Sequence, residues 1–337
     1  LGQLTNKQID DGRAVLDEAK VIVNTNKKLT DDNKKKLLEL TNMFYGLIPH
    51  NLGAGARGVM TELLLDDLQK IMKKEDDLDT LLDAKAVNAV ISSDSNYDDK
   101  YISLNCDFEL IDKKSDIFSF LNSYFMDSRV GRHGYSKISV KNIWKMHRKD
   151  EKEKKFIVNA TKIAKNDCEY TFNKYISSRL KNSKDFDVDH RPDLSNDEKQ
   201  LLKASNSWLC WHGTRSANLV GITRRGLLIR PSGAVHTGSM FGDGKYYAWQ
   251  STKSLNYCDG GYWTGGKSSN SKFMFALDVC FGKMFEQKTS KFFKSAPKGF
   301  HSVFAKGGAD LINDEMITYD FEDDDNQASM KYLFEIE

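Results

Sequence analysis

Four stretches of this sequence hold side chains able to do chemistry. WLCWHGTRSANLVG (Trp208–Gly221) places His212 between an apolar run and a glycine, where a strand gives way to a helix. A histidine there is core filler, a metal ligand or the edge of a site. GSMFGDGKYYAW (Gly238–Trp249) is a glycine-rich turn running into a strand with paired tyrosines, Tyr246 and Tyr247. STKSLNYC (Ser251–Cys258) reads as a helix, and Ser254 and Tyr257, three apart, lie on one face of it. NDEMITYD (Asn313–Asp320) sets Glu315 at the head of an apolar strand. Taken singly, each has a plain reading: a satisfied structural histidine, core aromatics with bonded hydroxyls, a solvated carboxylate.

A fifth stretch is refused. GYWTGGKS (Gly261–Ser268) matches the phosphate-loop pattern GxxxxGK[ST]. That pattern cradles phosphates only where a buried strand feeds the loop and a helix follows. Here a helix-like KSLNYCDG precedes it and the alternating KFMFALDVCFG follows, so the context is inverted.

The elements around these residues differ between the two ends of the chain. Residues 1–95 read as helices. Thr5 with Gln8 fits a capping box before a helix over Ile9–Val23. A second helix starts after Thr30, with Asp31 and Asp32 at its positive end and Leu37, Leu40, Phe44 and Leu47 on one face; Pro49 ends it. GAGARG (Gly53–Gly58) is a flexible connection, and Thr61–Met72 and Leu78–Ile91 repeat the helical period. The polar SSDSNYDD (Ser92–Asp99) marks a boundary.

Beyond it, YISLNCDFELI and KISVKNIWKMHR alternate like strands, and Ser115–Met126 reads as a helix. The charge run RKDEKEKK (Arg148–Lys155) reads as a solvated strand end or hairpin, and Phe156–Leu180 is ambiguous. A capping box at Ser195–Glu198 opens a short helix. Short strands follow at WLCWH, GKYYAW, KFMFALDVCFG, MFEQ, EMITYDF and MKYLFEIE. This is an α+β pattern, without βαβ alternation.

Composition narrows the classes. The chain has 337 residues, 39% hydrophobic and 29% charged, enough for one large domain or two. A formal net charge of +2 gives no argument for nucleic-acid binding. No apolar run approaches the roughly 18 residues of a membrane span, and no secretory core opens the chain. The chain begins at Leu1 and reads as a fragment. Its five cysteines, Cys106, Cys168, Cys210, Cys258 and Cys280, are scattered, and its seven histidines form no HxxxH or HExxH. Neither a zinc site nor a disulfide framework is expected, but reduced thiols in an intracellular compartment are.

In order, WHGTRSANLVGI, TGSMFGDGKYYA, STKSLNYC, PKGFHSV and the Glu315 strand strongly resemble the catalytic domain of the poly(ADP-ribose) polymerases, closest to their DNA-damage-dependent branch. Upstream, LGQLTNKQI, LTNMFYGLIPHNLG and LDTLLD are similar to that branch's helical regulatory domain. The resemblance covers nearly the whole chain except about 156–197, which looks like an insertion. It implies an α+β fold: an all-α regulatory bundle, residues 1–95, packed on a mixed, largely antiparallel ADP-ribosyltransferase domain, residues 96–337.

The resemblance also implies roles. NAD+ is the substrate, no metal is needed, and His212, Tyr246 and Glu315 form the triad. His212 hydrogen-bonds the adenine-side ribose. The Gly213 backbone holds the nicotinamide carboxamide, where the lack of a Cβ permits close approach, and Ser254 donates to the carboxamide oxygen. Tyr257 stacks on the nicotinamide ring with Tyr246 closing the other side. Thr214 contacts the adenosine ribose, and Lys253 and Met240 edge the acceptor side. Asp79 and Asp83 face the adenosine subsite from the helical domain, which restrains NAD+ access until an activator loosens it. Acceptor proteins are the partners, a DNA break is sensed by regions outside these residues, and the fragment is a monomer in the nucleus.

Elementary chemistry gives Glu315 its part in that scheme. Nicotinamide leaves a pyridinium as a neutral molecule, and positive charge develops on the ribose. A nearby carboxylate stabilises that charge, and a hydrogen bond from the ribose 2′-OH strengthens as the charge grows. The carboxylate can also orient or deprotonate an acceptor hydroxyl.

The chain departs from the family pattern in places. Leu228 stands where close relatives carry an adenosine-contacting arginine, and Arg230, on the same face of a strand, is the replacement. The segment from His301 to Glu315 is short where the branch has a long loop, and Asn313 stands where polymer-forming relatives often have tyrosine. The expectation is therefore transfer of a first ADP-ribose, with chain growth not guaranteed by the carboxylate alone. A mono-ADP-ribosyltransferase, a catalytically silent NAD+ or ADP-ribose binding module, and an NAD+ glycohydrolase are the alternatives.

Overall fold

The computed structural model describes residues 4–25, 29–49, 63–68, 70–71, 74–75, 77–78, 81, 97–133, 135, 137–177, 179–180, 182–227, 240–242, 244–258, 271–308, 311–319 and 326–337. The chain divides into two compact units. One comprises Leu1–Ser92 with Arg230–Asp243, and the other Ser93–Ile229 with Gly244–Glu337. Among the described residues no helix is long and apolar enough to cross a membrane.

In the first unit, α1 (Asn6–Thr25) begins at a closed capping box. The Gln8 amide donates to Thr5 Oγ1 at 3.1 Å, and the Thr5 amide donates to Gln8 Oε1 at 2.9 Å. In α2 (Asp31–Leu47), Thr30 caps the Asn33 amide and Asp31 and Asp32 sit in the first turn. Its buried stripe, Leu37, Leu40 and Phe44, joins Ile9, Leu16 and Ala19 in one apolar cluster. The helix ends at Leu47, before Pro49. Thr41 Oγ1 accepts the Leu65 amide at 3.0 Å, and Lys20 pairs with Glu75 at 3.2 Å in the interior. The GAGARG connection and most of the helix expected over 78–91 lie outside the described residues; within 61–72 the described residues 64–67 are not helical, so the single helix expected there is interrupted.

The second unit is built on two sheets. Its strands are β1 (Cys106–Leu110), β2 (Val140–Arg148), β3 (Ser207–Gly213), β4 (Lys245–Tyr247), β5 (Lys272–Cys280), β6 (Met284–Gln287), β7 (Ser302–Ala305), β8 (Glu315–Thr318) and β9 (Ala328–Ile336). A five-stranded sheet has the order β1-β2-β9-β5-β3, all antiparallel. A four-stranded sheet has the order β4-β8-β7-β6, antiparallel except for β6 with β7. The fold is α+β, as the residue pattern indicated. The strand register anchors on aromatics: Trp211 stacks on Tyr124 at 5.2 Å and meets Phe334 edge-on at 5.0 Å, while the Tyr124 hydroxyl donates to the Leu209 carbonyl at 2.9 Å.

Several local expectations change. A short helix, α3 (Tyr97–Ile102), takes in the last residues of the polar boundary and the first two of the expected strand YISLNCDFELI, Tyr101 and Ile102, and Asn105 at φ 55° turns the chain into β1. Asparagine tolerates that left-handed conformation better than most residues. The charge run after Arg148 opens a helix, α5 (Lys152–Ala164); α4 is the helix Asp116–Asp127. Lys and Glu are good helix formers, and Phe156, Ala160 and Ile163 repeat at helical spacing to bury one face. Part of the stretch 156–197 packs into the core. Phe172 and Ile176 of α6 (Phe172–Ile176), with Leu180 and Phe186, belong to the main apolar cluster. The Ser195–Glu198 capping box opens α7 (Asn196–Ala204) as expected from the sequence.

Candidate active site

Among the described residues, one isolated bridge joins the two sheets. The Trp211 amide donates to the Ala248 carbonyl at 2.7 Å and the Ala248 amide to the Trp211 carbonyl at 3.1 Å. This bridge sits one residue before His212 and two after Tyr246. In the β4–β8 ladder Tyr246 faces Ile317 and Tyr247 faces Met316. Continuing that register one step brings Ala248 level with Glu315. Three residues far apart in sequence therefore converge because one rung holds their strands together.

His212 is the last residue but one of β3, half-buried. Its Nδ1 lies 3.1 Å from the Tyr246 carbonyl, which can only accept, so Nδ1 carries the hydrogen. Burial pushes the imidazole below its ordinary pKa, against the upward pull of that hydrogen bond. The ring is thus neutral and Nε2 is an acceptor. Gly213 follows, and a Cβ there would come 1.7 Å from the Ser254 carbonyl oxygen. The glycine is needed by this main-chain contact, before any ligand is considered. Thr214 is buried, and its Oγ1 accepts from Asn218 Nδ2 at 3.1 Å.

Helix α9 (Ser251–Leu255; α8 is Leu219–Arg225) supplies the next groups. Ser254 Oγ donates its one proton to the Trp211 carbonyl at 3.1 Å. To donate to a carboxamide, as the resemblance implies, it must let go of Trp211. Tyr257 lies just past the helix, half-buried, and burial together with the negative charge of Glu315 raises its phenol pKa. Tyr246 is half-buried too, whereas Tyr247, on the opposite face of the strand, is wholly inside.

Glu315 and Lys253 form the charged centre. Both are buried, and Lys253 Nζ is 2.6 Å from Glu315 Oε1. The same ammonium donates to the Asp314 carbonyl at 3.1 Å. Glu315 Oε2 is buried and has no hydrogen-bond partner among the described residues. A carboxylate with one oxygen pinned and the other free is prepared to take a hydroxyl or to face a cation.

Some predicted residues are not brought into this cluster. Asp79, Asp83, Leu228 and Arg230 lie outside the described residues, as does the GYWTGGKS loop. The helix Ser251–Leu255 before that loop and the strand Lys272–Cys280 after it are the inverted order on which the motif was refused. Met240 is exposed and clusters with the first unit.

Sequence reasoning missed several groups beside Glu315. Asp314 is fully buried, is ion-paired with Arg179 and accepts Trp249 Nε1 at 3.0 Å. His133 donates from Nδ1 to Thr252 Oγ1 at 2.8 Å, and Asn313 Nδ2 donates to its Nε2 at 3.3 Å. Adjacent acids at the head of an apolar strand were the one available cue for Asp314. Among the described residues no group of three or more His, Cys, Asp or Glu is placed to hold a metal ion.

Comparison with known proteins adds the family. Residues 118–325 match the poly(ADP-ribose) polymerase catalytic domain, and residues 1–108 match the poly(ADP-ribose) polymerase regulatory domain. The chain is 26% identical over 313 residues to poly [ADP-ribose] polymerase 1 of Gallus gallus, covering 91% of this chain and 25% of the relative. It is 27% identical over 313 residues to poly [ADP-ribose] polymerase of Drosophila melanogaster, covering 91% and 26%. To poly [ADP-ribose] polymerase 2 of Zea mays it is 27% identical over 273 residues, covering 79% and 34%. The chain spans about a quarter to two fifths of the length of such curated relatives. With a catalytic-domain match across well over half of its length, the chain belongs to the poly(ADP-ribose) polymerase family.

Proposed function

We propose that this chain is an NAD+-dependent ADP-ribosyltransferase that breaks the nicotinamide–ribose bond and passes ADP-ribose to a protein acceptor. The observation that carries the proposal is the state of Glu315: Oε1 held by Lys253 at 2.6 Å, Oε2 buried with no protein partner among the described residues. In the reaction, the bond from ribose C1′ to the pyridinium nitrogen breaks, both electrons go to nitrogen, and neutral nicotinamide leaves. C1′ and the ring oxygen share the positive charge, and Oε2 of Glu315 is the anionic atom free to stabilise it. An acceptor oxygen then bonds to C1′, and its proton passes to the carboxylate.

The other residues bind and orient. Nε2 of the neutral His212 accepts a ribose hydroxyl, which a protonated ring could not do. The half-buried rings of Tyr246 and Tyr257 offer faces for the planar nicotinamide. Gly213, Ser254 and Thr214 line the same approach, with Ser254 exchanging its bond to Trp211 for one to the substrate. Arg230, Asp79 and Asp83 on the adenosine side, and Met240 on the acceptor side, belong to the proposal on the resemblance alone. So do a nuclear site of action and activation by a DNA break sensed outside these residues. The match of residues 1–108 to a regulatory domain supports adding restraint of turnover by the helical region.

The test uses labelled NAD+ with the chain, with Glu315→Gln, and with residues 1–95 removed, resolving products on a denaturing gel. The parent should label protein, Glu315→Gln should lose about 10²–10³-fold in rate, and the shortened chain should turn over faster. A ladder marks chain growth and a discrete band marks single transfer. Label that stays off protein while free ADP-ribose accumulates would replace the transferase with a glycohydrolase. Binding of NAD+ without turnover would replace it with a silent binding module.

A further inference from the structure

Arg179 lies in the stretch that reads as an insertion, yet its guanidinium pairs with Asp314, the residue before Glu315. We propose that Arg179 and Asp314 are positioning residues for Glu315. Their ion pair pins the head of β8, and through the Asp314 carbonyl it holds Lys253 against the Glu315 carboxylate. This rests on the reading of Glu315 as the catalytic carboxylate.

The linkage is continuous. Asp314 and Glu315 are neighbours on an extended chain, so their side chains point to opposite faces. The Asp314 side faces inward and is wholly buried. Its Oδ2 takes the guanidinium and Trp249 Nε1, and its Oδ1 takes the Gly307 amide at 2.8 Å. Its carbonyl takes Lys253 Nζ at 3.1 Å, and that nitrogen is 2.6 Å from Glu315 Oε1. Arg179 also donates to the Gly307 carbonyl at 3.4 Å, so one guanidinium spans both sides of the β7–β8 turn. Arg179 is itself held in place, since Ile176 and Leu180 on either side are buried and its amide donates to the Ile176 carbonyl at 2.9 Å.

The two partners differ in exposure, and the difference makes the idea testable. The Asp314 side chain is 0% exposed and that of Arg179 is 32%. Removing Arg179 leaves a dry, uncompensated carboxylate at the root of the catalytic strand. Neutralising Asp314 leaves a cation that water can reach. Losing the arginine must therefore hurt more than losing the acid's charge, and losing both must hurt less than losing the arginine alone.

Steady-state NAD+ turnover of the full chain decides it, with Arg179→Ala, Asp314→Asn, the double variant and Glu315→Gln as reference. Arg179→Ala should lower kcat about 10–100-fold with KM within about twofold, the scale of a small displacement of a reacting group. Asp314→Asn should lose less, and Arg179→Ala/Asp314→Asn should regain about tenfold over Arg179→Ala. A double variant no better than Arg179→Ala, a parental kcat in Arg179→Ala, or a loss confined to KM overturns the proposal. Should Arg179→Ala not fold, the double variant is compared with Asp314→Asn alone: equal kcat supports the linkage and a further drop overturns it. If Glu315→Gln is inactive while the Arg179 variants behave as parent, only the positioning claim fails. If Glu315→Gln turns over like the parent, the catalytic reading itself is wrong and the positioning claim falls with it.

Discussion

Arg179 and Arg191 leave the same stretch of chain, and each reaches a buried acid on a different sheet. Arg191 is 2% exposed and bonds Asp278 on β5 and Asp193, while the Tyr332 hydroxyl of β9 closes on Asp193. Arg179 reaches Asp314 beside β8, next to the Lys253–Glu315 pair. Both clusters contain an oxygen without a hydrogen-bond partner among the described residues, Asp278 Oδ2 and Glu315 Oε2. Burial and charge are therefore not what separates a structural cluster from a reactive one. The surroundings are. The Arg191 cluster reaches into the five-stranded sheet through Asp278 and Tyr332, whereas Glu315 adjoins the half-buried Tyr257, on a strand paired with β4, which carries Tyr246 and leads through the Ala248–Trp211 bridge to the strand of His212.

The largest effect separating the two clusters should come from Arg191→Met. It strips the cation from two buried carboxylates, and breaking a buried pair in this way costs about 3–5 kcal/mol. A urea-unfolding midpoint should fall accordingly, and turnover should be lost in step with the folded fraction. An unmoved midpoint would mean that the Arg191 cluster does not hold the segment to the sheet.

A smaller effect on stability is expected from Glu315→Gln. Glu315→Gln leaves the buried Lys253 ammonium without its counter-charge, but that group keeps the Asp314 carbonyl and can still donate to the amide oxygen, so unfolding should shift by about 1–3 kcal/mol, less than for Arg191→Met. Turnover should nonetheless collapse. If Glu315→Gln destabilises the fold as much as Arg191→Met, Glu315 is a second structural carboxylate and the contrast between the clusters disappears.

The same contrast sets what could be read from sequence. His212, Tyr246 and Glu315 were legible because each sits at the end of a patterned run, and their order along the chain carried the resemblance. The capping boxes at Thr5 and Ser195 were legible because a cap is made by residues three apart. β7 was not, since Ser302–Ala305 is buried throughout and shows no alternation. The bonds from Arg179 and Arg191 to their sheets span long stretches of sequence, and no local period encodes them. Nor does the sequence show why Gly213 lacks a side chain, because the obstacle is the Ser254 backbone, which only the fold brings near.

The smallest effect belongs to His212, and its sign is fixed. Burial holds the ring's pKa below the ordinary imidazole value, only partly offset by the Tyr246 carbonyl. The unfolded chain therefore takes up the proton first. Stability from this group is present above about pH 6.5 and is lost as pH falls from there towards the folded value. The Arg191 cluster contains no imidazole, so a variant there should keep this acid-side slope. His212→Gln should flatten it, by about 1 kcal/mol or less between pH 7.5 and 5.5. His301, also lowered by burial, titrates in both proteins and cancels in the difference. The KM for NAD+ should rise on the same limb in the parent, because protonation removes the Nε2 lone pair that accepts the ribose hydroxyl. Parallel stability curves for parent and His212→Gln would show that the ring is not held neutral, and the acceptor role assigned to it would have to be abandoned.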